Sequence, residues 1–396
     1  MEDISHFFSP IQINDINPSQ EVRPAQQEDT LGTSIIKFLQ EKQFPDLKGI
    51  HLAIIGMEED RRAVNNEGCG LAANAVRPYL YNLFKGKYKP KIADLGNIKA
   101  GNTVKDSYFA LTSACHELIK NKIIPVVIGG GQDITFPLYK AFNKIEATIN
   151  VVDIDSKFDI GGPDSEFNSS AYVGKIILHQ PNILFNYSNI GYQTHFVPQK
   201  EIDLFHKLYF DSYRLGKVRG EMEEVEPIVR NADLLSFDIS SIRMSDAPGN
   251  GNASPNGFYG EEACQITRYA GLSDKLSAIG FFEINPTKDE RGQTVHLVAQ
   301  MIWYFIEGYY QRYEDFPFRK KSDYLKYRVS IKEHQNEIVF YKSKRSDRWW
   351  MEVPYPTQKK LKFERHCLVP CSYNDYEAAT KEEVPDRWWQ SYQKLT

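Results

Sequence analysis

The chain has 396 residues, of which 41% are hydrophobic and 25% are charged, and its formal net charge is -4. This length allows one large α/β domain with an appendage, or two to three ordinary domains. The small net charge gives no electrostatic reason to expect nucleic acid or an anionic membrane as a partner. No apolar run approaches the ~20 residues that a membrane-spanning helix needs.

The start of the chain and its cysteines predict a compartment. The N-terminus "MEDISHFFSPIQIND" is acidic and lacks the basic start and apolar stretch of a signal peptide. The five cysteines are an odd and sparse set, which favours a reducing compartment. We therefore predict a cytoplasmic protein.

The chain divides into a polar N-terminal arm (1–33), an α/β domain (34–314) and a C-terminal extension (315–396). Within 34–314, short apolar runs alternate with helical patterns. The runs are continuous rather than alternating, which is typical of parallel strands covered on both faces. We therefore predict a three-layer αβα fold with a mainly parallel central sheet. The predicted strands are "GIHLAIIGM" (49–57), "IIPVVIGG" (123–130), "ATINVVDID" (147–155), "SNIGYQ" (188–193), "ADLLSFDIS" (232–240) and "LSAIGFFEIN" (276–285). The predicted helices are "GLAANAVRPYLYNLFKG" (70–86), "SYFALTSACHELIKNK" (107–122) and "VHLVAQMIWYFIEGYYQRY" (295–313).

The C-terminal extension has its own pattern. Residues 323–356 alternate between polar and apolar side chains around polar turns, which predicts β-hairpins. The tetrapeptide "DRWW" occurs at 347–350 and 386–389 and contains every tryptophan except Trp303. Two interpretations stay open: these aromatics pack the extension onto the body, or they form a contact with another subunit or protein.

Polar residues follow four of the predicted strands. In open parallel sheets, functional groups gather beyond the carboxyl ends of the strands. Several acids brought together there would need a cation, a buried proton or a basic neighbour. A single aspartate at the end of a strand is most often a cap or turn residue. Polar residues after four successive strands favour a functional site instead. The residues in question are Gln132, Asp153, Asp155, Lys157, Asp159, Asp238, Ser240 and Glu283.

Six segments over roughly residues 45–310 together resemble the ureohydrolase family, which contains arginase, agmatinase and formimidoylglutamase. They stand in the family's order, and the resemblance implies an arginase-like fold. The segments are "NNEGCGLAANAVRPYL", "GGGQDIT", "VVDIDSKFD", "LLSFDISSIRMSDAPG", "PNGFYGEEACQITRYAG" and "FFEINP".

The resemblance implies a dinuclear manganese site whose ligands are altered here. Asp153 and Asp238 match the two aspartates that bridge the metals in the family. Gln132 and Asp155 stand where the family has histidines, and Ser240 stands where it has an aspartate. The remaining aspartate position falls on Lys157, or on Asp159 if two residues are inserted.

Two further matches concern the substrate. Glu283 matches the family's substrate-contacting glutamate. Ser169 and Ser170, in "EFNSSAY", resemble its substrate-contacting loop more loosely, and both also suit an ordinary turn.

The altered residues predict weak metal binding, because Gln and Ser are neutral and bind divalent transition metals poorly. We therefore predict no cofactor. The alternative is manganese, or one other divalent cation such as magnesium or calcium held by Asp153, Asp155 and Asp238. If Lys157 points inward, its ammonium would neutralise these acids in place of a metal.

Two functions follow. In the first, the protein has lost dinuclear manganese catalysis and acts as a binding or scaffold protein. In the alternative, it is an active formimidoylglutamase- or agmatinase-like hydrolase of C–N bonds in linear amidines, with Glu283 and Asp155 as catalytic groups. The predicted partners are a small amidine or amino-acid ligand and either further copies of the chain, as the resemblance implies, or another protein bound through the extension.

Overall fold

The computed structural model describes residues 2–12, 29–146, 148–162, 165–316, 321–331, 337–356 and 363–395. Its strands are β1 Ile36–Lys37, β2 Leu52–Met57, β3 Ile92–Ile98, β4 Ile124–Ile128, β5 Ile149–Ile154, β6 Leu184–Tyr192, β7 Asp211–Arg214, β8 Leu234–Asp238, β9 Ala278–Phe282, β10 Tyr324–Ser330, β11 Glu337–Ser343, β12 Trp349–Glu352 and β13 Leu368–Cys371. Its α-helices are α1 Leu31–Ser34, α2 Ala72–Asn82, α3 Val104–Lys120, α4 Thr135–Lys140, α5 Tyr172–Leu178, α6 Gln199–Lys207, α7 Leu215–Gly220, α8 Val225–Arg230, α9 Gly260–Leu272, α10 Gln293–Tyr310, α11 Tyr373–Thr380 and α12 Asp386–Leu395.

The first nine strands form one sheet in the order β1-β3-β2-β4-β9-β8-β5-β6-β7. All of its pairings are parallel. Its central strands, from β3 to β5 in that order, are buried at every position. Burial on both faces is why these strands show continuous apolar runs.

Two hydrophobic cores lie on opposite faces of this sheet. Successive residues of β5 divide between them, since Val151 packs in one core and Val152 in the other. The core that contains Val152 also holds apolar residues of α2, α9 and α10. The core that contains Val151 holds apolar residues of α3, α4 and α5. The three-layer αβα prediction is therefore confirmed.

Strand β3 was not predicted from the sequence, because Asp94 interrupts its apolar pattern. In the structure Arg77 of α2 forms an ion pair with Asp94, with 2.9 Å between Nε and Oδ2. The hydroxyl of Tyr81 also donates to Asp94 Oδ2 at 2.8 Å. A carboxylate with these partners can be buried in a central strand.

The N-terminal arm lies partly outside the described residues, which omit 13–28. Its first described part rests on the body rather than apart from it, since Ile4, Phe8 and Ile11 are buried. Ser9 forms an antiparallel bridge with Asn97 at the end of β3. These contacts join the start of the chain to one edge of the α/β domain.

The C-terminal extension contains the predicted hairpins as an antiparallel sheet in the order β10-β11-β12-β13. This sheet packs against the amino ends of the central strands. Arg365 donates to Thr148 O at 2.6 Å, just before β5, and to Asp233 Oδ1 at 2.7 Å, just before β8. Arg230 of α8 donates to the carbonyls of Trp349 and Cys371 at 3.1 and 3.2 Å. The extension thus lies at the edge of the sheet opposite the strand exits.

Among the described residues, no helix is both long enough and apolar enough to cross a membrane.

Candidate functional site

Four adjacent strands of the main sheet carry the predicted site residues. Strands β4, β9, β8 and β5 are neighbours in the sheet order. Because they are parallel, their carboxyl ends meet at one edge. Gln132, Asp153, Asp155, Asp238 and Glu283 therefore come together there, and each is at most 6% exposed.

The carboxylate of Asp153 accepts hydrogen bonds from three side chains. Gln132 Nε2 donates to Asp153 Oδ1 at 2.9 Å. The hydroxyls of Tyr172 and Tyr187 donate to Oδ2 at 3.0 and 2.9 Å. Burial raises the pKa of Asp153 to about 7, and the two tyrosine hydrogen bonds oppose that rise. Gln132 thus acts on Asp153 directly as a donor.

Asp155, Asp159 and Asp238 form a second group, in which the nearest carboxylate oxygens all lie within 4.8 Å of one another. Asp159 contributes to this group from a loop, where its backbone φ is +44°. Burial raises the pKa of all three carboxyls. The charge of Asp153 adds to the rise at Asp155, and the charge of Asp155 adds to it at Asp159 and Asp238. The positive charge of Lys157 opposes it at each of them. Asp159 therefore lies with the acids, and Lys157 acts on them electrostatically.

Ser240 lies next to Asp238 as a donor. Its backbone N–H donates to Asp238 Oδ1 at 2.6 Å, in a short turn that begins where β8 ends. This bond lowers the pKa of Asp238 and so opposes part of the rise that burial causes. Ser240 thus orients the aspartate rather than extending the group of acids.

Glu283 is held in a strained backbone conformation just after β9, with φ +63°. Its Oε1 accepts from the backbone N–H of Gln132 at 2.9 Å, and its Oε2 accepts from Asn66 Nδ2 at 2.7 Å. Burial, followed by the charge of Asp238, raises the pKa of Glu283 to about 7. A hydrogen bond from Ser169 opposes the rise. Ser169 and Glu283 are thus brought together.

The loop that carries the two predicted serines packs beside Glu283. Ser169 Oγ accepts from the backbone N–H of Val64 at 3.0 Å. Ser170 lies in the adjoining turn, where its N–H donates to Asn168 Oδ1 at 2.9 Å. Of the two serines, Ser169 thus contacts both Val64 and Glu283. Ser170 contributes only to the turn.

Sequence reasoning missed Asn66, Tyr172 and Tyr187. Asn66 lies within the quoted segment "NNEGCG", but a polar residue in a loop gives no signal of what it contacts. The two tyrosines lie 19 and 34 residues after Asp153, in α5 and β6, within apolar patterns. Their roles become visible only when the fold brings them to Asp153.

The donor set fits one divalent cation better than two. Asp155, Asp159 and Asp238 offer oxygen ligands, which suit a hard cation. Among the described residues, Asp155 Oδ2 is buried and has no hydrogen-bond partner. At this edge Gln132 provides no imidazole, and both oxygens of Asp153 accept hydrogen bonds.

Comparison with known proteins gives this site a family context. The model of the arginase family matches residues 50–307. The formimidoylglutamase of Bacillus subtilis (strain 168) is 22% identical over 285 residues, which are 66% of this chain and 88% of that protein. The formimidoylglutamase of Staphylococcus haemolyticus is 25% identical over 226 residues, which are 54% of this chain and 71% of that protein.

Solved structures show the same fold. The crystal structure of Trypanosoma cruzi formiminoglutamase with Mn2+ superposes with a TM-score of 0.62 at 21% identity, covering 68% of this chain and 100% of that one. The agmatine ureohydrolase of Thermoplasma volcanium superposes with a TM-score of 0.57 at 19% identity, covering 67% of this chain and 93% of that one. The family model covers well over half of the sequence, and the chain belongs to the arginase family.

Proposed function

We propose that this arginase-family protein binds a small amidine-bearing or amino-acid ligand at the carboxyl edge of its sheet and has lost dinuclear manganese hydrolysis. The observation that supports this most directly is the set of three donors on Asp153. If metal ions displaced these donors from Asp153, Gln132 Nε2 and one of the two tyrosine hydroxyls would lose their acceptor, since the hydroxyls of Tyr172 and Tyr187 lie 3.1 Å apart and one can donate to the other. Each buried donor left unpaired costs about 1–3 kcal/mol.

The charges at this edge suit a cationic group. Asp155, Asp238 and Glu283 are buried close together, and burial and mutual repulsion disfavour their ionised forms. An amidinium brings a positive charge and several N–H donors to such carboxylates. Binding would therefore supply both the neutralising charge and the hydrogen bonds that these acids need.

Metal analysis tests the loss of the dinuclear site. Protein purified with manganese and desalted should contain at most one divalent ion per chain. It should release neither urea from arginine or agmatine nor formamide from formimidoylglutamate, while calorimetry detects binding of one of these compounds. Two bound ions per chain with product release would contradict the proposal.

A set of variants connects this result to Asp153. Gln132→His combined with Tyr172→Phe and Tyr187→Phe supplies an imidazole and removes the present donors from both oxygens of Asp153, and it should increase manganese uptake. Tyr139→Phe is the matched control, because this buried tyrosine accepts from Ile183 N at 3.2 Å, away from the acids. If both proteins bind the same amount of manganese, the donors on Asp153 do not limit metal binding.

A hydrolase with a single metal is the second candidate, favoured by the carboxylate group of Asp155, Asp159 and Asp238. The matched relatives are formimidoylglutamases. A divalent cation at these residues would supply Lewis acidity that activates water, and Glu283 would hold the amidine. Formamide release from formimidoylglutamate that depends on added metal and is lost in Asp238→Asn would establish this candidate. Binding without turnover would eliminate it.

A further inference from the structure

We infer that Asn66 is a positioning residue that holds Glu283 in its ligand-facing conformation. This inference rests on the proposed function only in taking Glu283 as a group that contacts the ligand. The backbone of Glu283 has a φ of +63°, which is unfavourable for a residue with a side chain. Such a conformation persists where the surroundings determine it.

Asn66 contacts both the main chain and the side chain of Glu283. Its Nδ2 donates to Glu283 O at 3.0 Å and to Glu283 Oε2 at 2.7 Å. One amide group thus contacts both the carbonyl and the carboxylate of the same residue, whereas Asn250, whose Nδ2 donates to Glu283 O at 2.6 Å, contacts the carbonyl. The N–H of Glu283 donates to Gly130 O at 3.0 Å, and Oε1 accepts from Gln132 N. The side chain of Asn66 is therefore the contact that joins the strained backbone to the carboxylate.

The orientation of Asn66 is itself determined. Its Oδ1 accepts from Gly251 N at 2.8 Å and from Asn285 Nδ2 at 2.9 Å. The residue is fully buried. Reversing the amide would place its oxygen against two acceptors and its nitrogen against two donors, so only one orientation satisfies all four contacts. The loop containing Gly251 is thereby linked to the Glu283 carboxylate through Asn66, and to the Glu283 carbonyl through Asn250 as well.

A neighbouring asparagine provides a matched control. Asn252 Nδ2 donates to Val64 O at 2.9 Å and joins the same two loops. Among the described residues, no hydrogen bond joins the Asn252 side chain to Glu283. Asn66→Ala and Asn252→Ala therefore both remove a bond between the loops, but only the first removes the bond to the Glu283 carboxylate that also reaches its carbonyl.

The first experiment compares these two variants. Crystal structures should show that Glu283 leaves the positive-φ region in Asn66→Ala and stays there in Asn252→Ala. Calorimetry with acetamidine should show about tenfold weaker binding by Asn66→Ala, as expected for losing a hydrogen bond to a charged group, and little change in the control. Unchanged Glu283 geometry in Asn66→Ala, or equal losses in both variants, would overturn the inference.

The inference and the proposed function fail in different ways. If the wild-type protein binds no acetamidine, formimidoylglutamate or arginine, the proposed function fails, and the position of Glu283 in the variants still decides the role of Asn66. If Asn66→Ala folds but neither crystallises nor permits calorimetry, Glu283→Gly supplies the test, because glycine accepts positive φ without strain. Asn66→Ala should then lower the midpoint of thermal unfolding less in the Glu283→Gly background. An equal decrease in both backgrounds would contradict the inference.

Discussion

The two copies of DRWW have the same sequence and different structures. The first copy leads into strand β12, where Trp349 and Trp350 are both buried. The second begins helix α12, where Trp388 is 5% exposed and Trp389 is 45% exposed. In a strand successive side chains point to opposite faces, whereas in a helix they differ by about 100°. The surroundings, rather than the tetrapeptide, therefore decide which tryptophans are buried.

Each copy is directed by its neighbours. Trp350 lies opposite Tyr341 of β11 and Pro370 of β13, so the first copy is paired on both sides within a sheet. The second copy follows Pro385, and proline is favoured at the start of a helix. Non-local pairing in one case and a local helix start in the other give two structures from one sequence.

The arginines of the two copies have similar roles in spite of this difference. Arg348 forms an ion pair with Glu226 of α8 at 3.3 Å. Arg387 forms an ion pair at 2.7 Å with Glu224, in the turn that precedes α8. Both copies thus attach the extension to the same part of the α/β domain. This packing agrees with the first interpretation of the aromatics, and a contact with another subunit or protein stays a prediction.

The largest difference between the copies should come from their second tryptophans. Trp350 is 1% exposed, and the Arg230 guanidinium lies 4.4 Å from its ring centroid. Trp350→Ala should lower the free energy of unfolding by about 3–5 kcal/mol, because it removes a large buried side chain. Trp389→Ala should cost less than about 1 kcal/mol. Urea unfolding followed by circular dichroism measures both, and similar losses would show that the copies bury their aromatics equally.

The arginines should differ less. Arg387 contacts Asp375 at 2.6 Å and Glu224 at 2.7 Å, whereas Arg348 contacts Glu226 at 3.3 Å and Asp315 at 3.9 Å. Arg387→Met should cost about 2–3 kcal/mol, because it leaves two partly buried carboxylates without their closest partner. Arg348→Met should cost about 1 kcal/mol by the same reasoning from its longer contacts. The same urea experiment checks the order, and a larger loss for Arg348→Met would reverse the assignment of the stronger anchor.

The smallest effect concerns a histidine between the extension and the body. His366 is 3% exposed, and its Nε2 lies 2.9 Å from Thr148 Oγ1. Burial, with the charges of Lys275 and Arg365, holds the pKa of His366 well below its ordinary value. The unfolded chain therefore takes up this proton first as the pH falls. The stability contributed by neutral His366 is present above pH ~6.5 and is lost below it.

His366→Gln isolates this effect. Between pH 7 and 5.5 the wild-type protein should lose about 1 kcal/mol more stability than the variant, since each pH unit is worth about 1.4 kcal/mol once the histidine of the unfolded chain titrates. Thermal or urea unfolding at several pH values measures the difference. Parallel pH profiles for the two proteins would show that His366 is protonated equally in the folded and unfolded chains.

The main sheet was predictable where both faces of a strand pack against helices. The runs that became β2, β4, β5, β8 and β9 carry that signal, and it also located the site, because parallel strands end at a common edge. Strand β3 lacked the signal because the charged Asp94 interrupts its apolar run. The ion pair that allows Asp94 to be buried comes from Arg77 of helix α2. Which buried charges have partners is a property of packing, and the strand sequence alone does not contain it.

The site was predictable as a group of positions, but its contacts were not. The spacing after β5 left Lys157 and Asp159 as alternatives. In the structure the Asp159 carboxylate lies within 4.8 Å of those of Asp155 and Asp238, and which residue takes the family's ligand position stays a prediction. The donors to Asp153 come from three separate elements, carrying Gln132, Tyr172 and Tyr187. Each is an ordinary residue in its local sequence, so only the folded chain shows that all three donate hydrogen bonds to the Asp153 carboxylate.

The attachment of the extension at the amino edge of the sheet has a practical consequence. Lys394, near the end of α12, donates to Asp211 Oδ1 at 2.9 Å, at the first residue of β7. Asp211 pairs with Ser188 of β6, and Ser188 pairs with Val152 of β5, so the end of this helix lies level with the residue before Asp153. The two positions are two strands apart across the sheet, or roughly 10 Å. A fluorophore coupled near the end of α12 would therefore lie close enough to the acids to report, under the proposed function, on a ligand bound at the carboxyl edge.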